Sequence, residues 1–182
     1  RKGEVRKASQ LFSPKHAIIT GFGNQHLDLY GSRENLIEAE SEILKLLPTT
    51  GTAYINFDIL PFAQVAKRST AKVVSFSVKS DKASLFASNI ARSTAGTLSA
   101  DIAYGTKRFS IATTLIGRHN LSNILPCIAF CMDQGMSAVE GAQAVKNLRQ
   151  VHGKLSRHVG PNGSAILNDS GNSSVDGFLA AI

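Results

Sequence analysis

Three short apolar runs, His16–Thr20, Thr52–Phe57 and Lys72–Val78, are separated by stretches with helical spacing. This alternation constrains the fold more than any other feature of the chain. The first gap holds a helix predicted from about Glu34 to Leu47, with Ser32 as N-cap and Pro48 beyond its end. The second holds a helix around Phe62 to Arg68. Strands that alternate with helices form βαβ units, so the spacing predicts an α/β fold with a mainly parallel sheet flanked by helices. In such sheets ligands gather at the loops after the carboxyl ends of strands. The Gly21-Phe22-Gly23-Asn24 break after the first strand is therefore a candidate binding loop.

The pattern changes after about Lys82. Residues 84–115 are rich in Ser, Thr, Ala and Ile, with a turn signal at Tyr104-Gly105-Thr106, and predict a small antiparallel addition. Two helices follow, at about 120–134 and 138–150. The second opens with the capping box Ser137-Ala-Val-Glu140. Pro126 either kinks the first or marks where its regular part begins. Glycines, Pro161 and mixed charge make 152–163 a predicted linker or hinge between a domain at 1–151 and the start of another α/β unit at 164–182. That unit would open with a strand, Ala165–Leu167, and a helix from about Ser174.

Composition narrows the function classes. No apolar run approaches the roughly 20 residues of a membrane span, and no secretory signal is visible. The formal net charge is +7, with Arg1, Lys2, Arg6, Lys7 and Lys15 crowding the first segment against Glu4. Such a surface favours phosphate-bearing partners. A nucleic-acid module is disfavoured because no helix-turn-helix, zinc-finger, RRM or KH signature is present. Cys127 and Cys131 lie four apart on one helix, where a disulfide is awkward, so core packing is expected over redox or metal chemistry. Reduced thiols fit a cytoplasmic location.

Glu40 stands out. On a continuous 34–47 helix it falls within the stripe of Leu36, Ile37, Ile43, Leu44 and Leu47, where a carboxylate is costly unless something cationic meets it. A half-buried helix or a paired Arg or Lys would account for it; so would a metal ion or a cationic active site. His26, in the loop after the first strand, is either structural or a ligand. Together the two could hold a divalent ion, Mg²⁺ being usual where phosphate chemistry occurs.

An ordered series of segments resembles the Mur ligases, which add amino acids to the peptide stem of peptidoglycan precursors. Gly3-Glu4-Val5 and Pro14 to Leu27 are similar to the central-domain pattern in which an "aiiTNIG.aHL" loop follows a strand. Gly31–Leu36, Glu42-Ile43, Leu47-Pro48, Gly51-Thr52-Ala53 and Asn56-Phe57-Asp58 continue it. Gly117-Arg118-His119-Asn120-Leu121-Ser122-Asn123 matches the "GrHNxxN" segment. His152-Gly153-Lys154 sits where a "GR" linker is usual, and Asn168-Asp169-Ser170 matches the start of the Rossmann-like C-terminal domain. The middle part is most similar to the member that adds D-alanyl-D-alanine to a UDP-N-acetylmuramoyl tripeptide.

The resemblance implies ATP and Mg²⁺ as cofactors, with a UDP-N-acetylmuramoyl peptide and a D-amino acid or dipeptide as substrates. His26 would ligate Mg²⁺; His119, Asn120 and Asn123 would contact adenine; Asp169 would help hold the nucleotide. Glu40 stands where the family has a carbamylated lysine that binds metal, and Lys154 where it has a phosphate-clamping arginine. Gly21 replaces an asparagine. Gly171, Ser174 and Val175 depart from the dipeptide-adding member's "DSYNANP", and Asn168-Asp169-Ser170 is nearer the D-glutamate-adding member's "NDS". These departures also admit a Mur-like protein that binds nucleotide without catalysis. The family's "GTxGKT" phosphate loop is absent from the chain, which implies a start in mid-domain and no activity from this stretch alone.

Overall fold

The computed structural model describes residues 3–23, 27–94 and 96–171. Its main sheet has six strands in sequence order: β1 (His16–Ile19), β2 (Thr52–Asn56), β3 (Lys72–Ser77), β4 (Leu85–Arg92), β5 (Leu98–Tyr104) and β6 (Lys107–Thr113). The pairs β1–β2, β2–β3 and β3–β4 are parallel, whereas β4–β5 and β5–β6 are antiparallel. The expected antiparallel addition thus extends the parallel sheet as one continuous surface. Its β5–β6 turn is Gly105-Thr106, at the predicted signal.

Parallel strands ordinarily need a crossover of a dozen residues or more. Only residues 78–84 join β3 to β4, because these strands share just two paired positions, Phe76↔Leu85 and Ser77↔Phe86. The chain therefore steps back a short way instead of retracing a whole strand. At the entry to β2, Thr52 N donates to Lys15 O at 3.1 Å. A Cβ on Gly51 would lie 2.1 Å from that same carbonyl, so only glycine admits this approach.

Helices cover both faces of the sheet. Side-chain alternation along β2 sends Ala53 and Ile55 to one face and Tyr54 to the other. The first face packs against α3 (Arg33–Glu40), a 3-10 turn (Glu42–Leu46) and α4 (Phe62–Ala66). The second packs against α5 (His119–Asp133) and α6 (Ala138–Lys146). α5 runs through the buried Pro126 without a break in its assignment. α6 carries the predicted capping box: Glu140 N donates to Ser137 Oγ at 3.2 Å, and Ser137 N donates to Glu140 Oε2 at 2.9 Å.

Three expectations are corrected. The 34–47 helix is not continuous: the α-helix ends at Glu40, and a 3-10 turn follows. Ser41 donates from its hydroxyl to Ile37 O at 2.5 Å, a local bond that competes with helix continuation. Second, Glu40 is exposed, while Leu36, Ile37 and Ala39 are buried. Periodicity gives an angle around the axis, not whether another element lies over that end. Third, part of the expected linker is a strand, β7 (Ser156–Val159), which pairs with β8 (Ala165–Asn168) in a separate two-stranded sheet. Two helices escaped the sequence reading altogether: α1 (Glu4–Phe12), which buries no residue, and the four-residue α2 (Leu27–Tyr30). The helix expected from Ser174 lies outside the described residues.

Candidate functional site

A polar network ties together the carboxyl ends of β1, β2 and β3. Asn56 Nδ2 donates to Thr20 O at 2.8 Å, and its Oδ1 accepts from Asp58 N at 2.9 Å. Asp58 accepts in turn from Ser77 Oγ at 2.5 Å and from Val78 N at 2.9 Å. Ser77 Oγ also accepts from Lys79 N at 2.9 Å and Ser80 N at 2.8 Å, which folds the chain sharply after β3. Asn56 and Ser77 are buried, and these polar groups are therefore satisfied within a rigid rim. In the sequence Asn56 and Asp58 are marked only by the family resemblance, and no motif marks Ser77. The available signal was a polar residue closing each of two successive apolar strands.

A second part of the site is built at the start of α5. Gly117 has φ 98°, and a Cβ there would lie 2.4 Å from the His119 ring. Glycine thus lets the imidazole fold back over the loop. Asn120 Nδ2 donates to Ile116 O at 2.7 Å, while Ile116 N donates to Gln150 Oε1 at 3.1 Å. Gln150 Nε2 in turn donates to Lys154 O. Gln150, which no sequence motif marked, therefore links the loop before α5 to the segment after α6. Asn120 and Asn123 both line a cavity of about 250 Å³ between these helices, with Ile124, Cys127 and Leu148 among its walls. His119 is exposed and is not among the lining residues. The two cysteines also depart from expectation. Both thiols are free and both line the cavity, with Cys127 exposed and Cys131 partly so; neither is sealed in the core.

The β7–β8 sheet brings Asp169 beside Lys154. Leu155 N donates to Asp169 Oδ1 at 3.2 Å, and Gly171 N donates to Gly153 O at 2.7 Å. The backbone between Gly153 and Leu155 is thereby tied to the end of β8.

His26 lies outside the described residues, so its relation to Glu40 is not defined. Tyr30 Oη donates to Glu40 Oε1 at 3.3 Å. Burial, and then the charge and hydrogen bond of Glu40, raise the Tyr30 phenol above its ordinary range. Among the described residues, no three His, Cys, Asp or Glu side chains converge into a metal-binding group. Asp58 is occupied by two donors. The described side chains alone do not make a divalent-cation site. The fit is better for a purine base: two amides, each with a donor and an acceptor, border an otherwise apolar cavity.

The class defined here is a three-layer α/β domain with a polar rim at its strand ends and a cavity beside its longest helix. The chain belongs to the Mur ligase family, since residues 1–131 match the model of the Mur ligase middle domain. It is 28% identical over 184 aligned residues to the UDP-N-acetylmuramoyl-tripeptide–D-alanyl-D-alanine ligase of Escherichia coli, covering 100% of this chain and 40% of that protein. It is 29% identical over 160 residues to the UDP-N-acetylmuramate–L-alanine ligase of Endomicrobium trichonymphae, covering 87% and 35%. The fold matches a crystal structure of MurF from Acinetobacter baumannii with TM-score 0.89 at 20% identity, over 99% of this chain and 39% of that one. MurF ligase from Thermotoga maritima in complex with ADP matches with TM-score 0.85 at 19% identity, over 100% and 41%. The chain thus spans about two-fifths or less of the length of these proteins. No helix among the described residues is long and apolar enough to cross a membrane.

Proposed function

We propose that this chain is the nucleotide-holding part of an ATP-dependent carbon–nitrogen ligase of peptidoglycan precursor synthesis. The observation that carries this is the meeting of Asn120 and Asn123 at one cavity, in a chain that belongs to the Mur ligase family. The reaction would join a UDP-N-acetylmuramoyl tripeptide to D-alanyl-D-alanine, a choice supported by a D-alanyl-D-alanine ligase relative that aligns along the whole chain. The D-glutamate-adding reaction is the alternative, favoured by Asn168-Asp169-Ser170. A cytoplasmic location goes with substrates carried on UDP.

In the proposed mechanism the substrate carboxylate attacks the γ-phosphate of ATP, forming an acyl phosphate and releasing ADP. The incoming amine then attacks that carbonyl, and phosphate leaves. Asn120 and Asn123 orient the adenine, with His119 beside them. Asp169, tied to Leu155, draws the segment around Lys154 toward the nucleotide, where the Lys154 ammonium can meet phosphate as a point charge. Catalysis by alignment and charge needs no activated nucleophile in the protein. Mg²⁺, which would neutralise triphosphate charge, is assigned to His26 and Glu40 with donors beyond the described residues.

The test is phosphate release from ATP by the full-length protein. Release should require both the UDP-linked tripeptide and D-alanyl-D-alanine; turnover indifferent to the amine would overturn ligation, and a response to D-glutamate alone would select the alternative. Asn120→Ala should raise KM for ATP about tenfold or more, in keeping with loss of a charge-neutral recognition bond or two. An unchanged KM would remove Asn120 from the nucleotide site.

A further inference from the structure

We propose that Gln150 is a positioning residue of the ligase, coupling the base-holding loop before α5 to the peptide that aims Lys154. This rests on the nucleotide-holding reading above and adds to it a residue that touches neither base nor phosphate. Gln150 is half-buried just beyond α6. Its side-chain amide bonds in two directions: Ile116 N donates to Oε1 at 3.1 Å, and Nε2 donates to Lys154 O. An N–H needs an acceptor and a carbonyl needs a donor, so only one orientation of the amide serves both. Glutamate would keep the acceptor and lose the donor; lysine or arginine would do the reverse. Asparagine falls short by one methylene. Ile116 is held from its other side as well, since its carbonyl accepts from Asn120 Nδ2 at 2.7 Å. Both backbone polar groups of Ile116 are thus taken by side-chain amides, one of which stands on the cavity wall.

At the far end a single peptide plane is gripped at both of its polar atoms. Lys154 O and Leu155 N belong to one planar unit. The carbonyl accepts from Gln150, and the N–H donates to Asp169 Oδ1 at 3.2 Å. Holding both atoms fixes the rotation of that plane, and with it ψ of Lys154 and φ of Leu155. Leu155 stands at φ 56°, in the left-handed region that disfavours any residue with a Cβ, and its side chain is buried. Such a conformation persists only where its surroundings hold it. Freeing the plane on the Gln150 side lets Leu155 relax and turns Lys154 away from its aim. A continuous path of hydrogen bonds therefore runs from Asn120 through Ile116 and Gln150 to the 154–155 peptide and Asp169. A nucleotide that seats its base against Asn120 firms this path and holds Lys154 toward the phosphates, where alignment governs rate.

The experiment follows hydrogen exchange at the Leu155 amide of the full-length protein with and without ADP, beside amine-dependent phosphate release from ATP. ADP should slow that exchange about tenfold in the parent and less than about twofold in Gln150→Met, which keeps the bulk without either polar end. Gln150→Glu retains the bond to Ile116 and loses the one to Lys154. It should leave KM for ATP within about twofold and lower kcat about tenfold, whereas Gln150→Met should also raise KM. If Gln150→Met does not fold, Gln150→Glu carries the exchange measurement too, with the same loss of response. Variants that melt lower yet keep the parent's exchange response and kcat would make Gln150 merely structural and overturn the proposal. A parent that ADP stabilises against heat, but whose Leu155 amide does not respond, overturns the coupling alone. A parent whose melting temperature ADP leaves unchanged overturns the nucleotide-holding reading, and this inference with it.

Discussion

Helices α3 and α5 both carry residues of the proposed site, yet the sheet holds them differently. α5 has 15 residues and buries seven of them, from Leu121 to Met132, against one face of the sheet. α3 has eight residues, buries Leu36, Ile37 and Ala39, and ends where Ser41 breaks it. Asn120 and Asn123 belong to a long packed element, whereas Glu40 is the last residue of a short one. A position is held firmly when the rest of its helix is buried against the sheet, and weakly when it is the last residue of a short helix.

The largest effect should come from emptying the interface under α5. Leu125 is fully buried, and Leu125→Ala should cost about 2–5 kcal/mol by loss of transfer energy plus a cavity. Leu36→Ala should fall in the lower part of that range, because a short helix can settle into the space. Urea denaturation midpoints check this, and equal losses would mean that the two helices are held alike.

A further anchor of α5 should reveal itself at high pH. Asp133, its last residue, accepts from Tyr54 Oη at 2.9 Å and Tyr104 Oη at 2.8 Å. Burial, and then these bonds to Asp133, push both phenols far above their ordinary range. Their folded pKa lies above the unfolded value of about 10, so the stabilisation is complete below that pH and is lost as pH rises beyond it. The urea midpoint should fall steeply above about pH 10 in the parent and more gently in a Tyr54→Phe/Tyr104→Phe variant. Identical slopes would mean that these phenols titrate as in the unfolded chain.

Smaller effects follow at the caps and ends. Ser137→Ala, which removes the N-cap of α6, should cost about 1 kcal/mol. The Glu140 carboxylate, held below its usual range by the Ser137 hydroxyl and backbone, should contribute in full above its unfolded pKa. That contribution fades as pH falls through the lowered value, and Glu140→Gln should remove this acid dependence. Least of all, Glu40→Gln should change stability by no more than about 0.5 kcal/mol, as exposed positions do. A loss several times larger would restore the inward-facing carboxylate that periodicity suggested.

Much of the architecture could be read from the chain alone. The strands β1, β2 and β3, the antiparallel pair around Gly105-Thr106 and the cap at Ser137 all arise from short-range rules: apolar runs, turn residues and a two-residue hydrogen-bond exchange. Asn120 and Asn123 stand in one contiguous motif, and the structure places both on the same cavity. What escaped was less local. α1 carries Val5, Ala8, Leu11 and Phe12 at helical spacing yet buries no residue, so its stripe is short and has no covering element among the described residues. Gln150 and Ser77 act through partners 34 and 19 residues away in sequence, with no pattern to mark them.

The sequence by itself determined the order of the main-sheet strands, the alternation that makes the first of them parallel and the family, because these depend on residue spacing along one chain. Only the tertiary structure decided that Glu40 faces outward, that the cysteines open into a cavity and that β7 pairs with β8. Exposure and partnership depend on which distant segment covers a side chain, and no period of 3.6 or 2 encodes that.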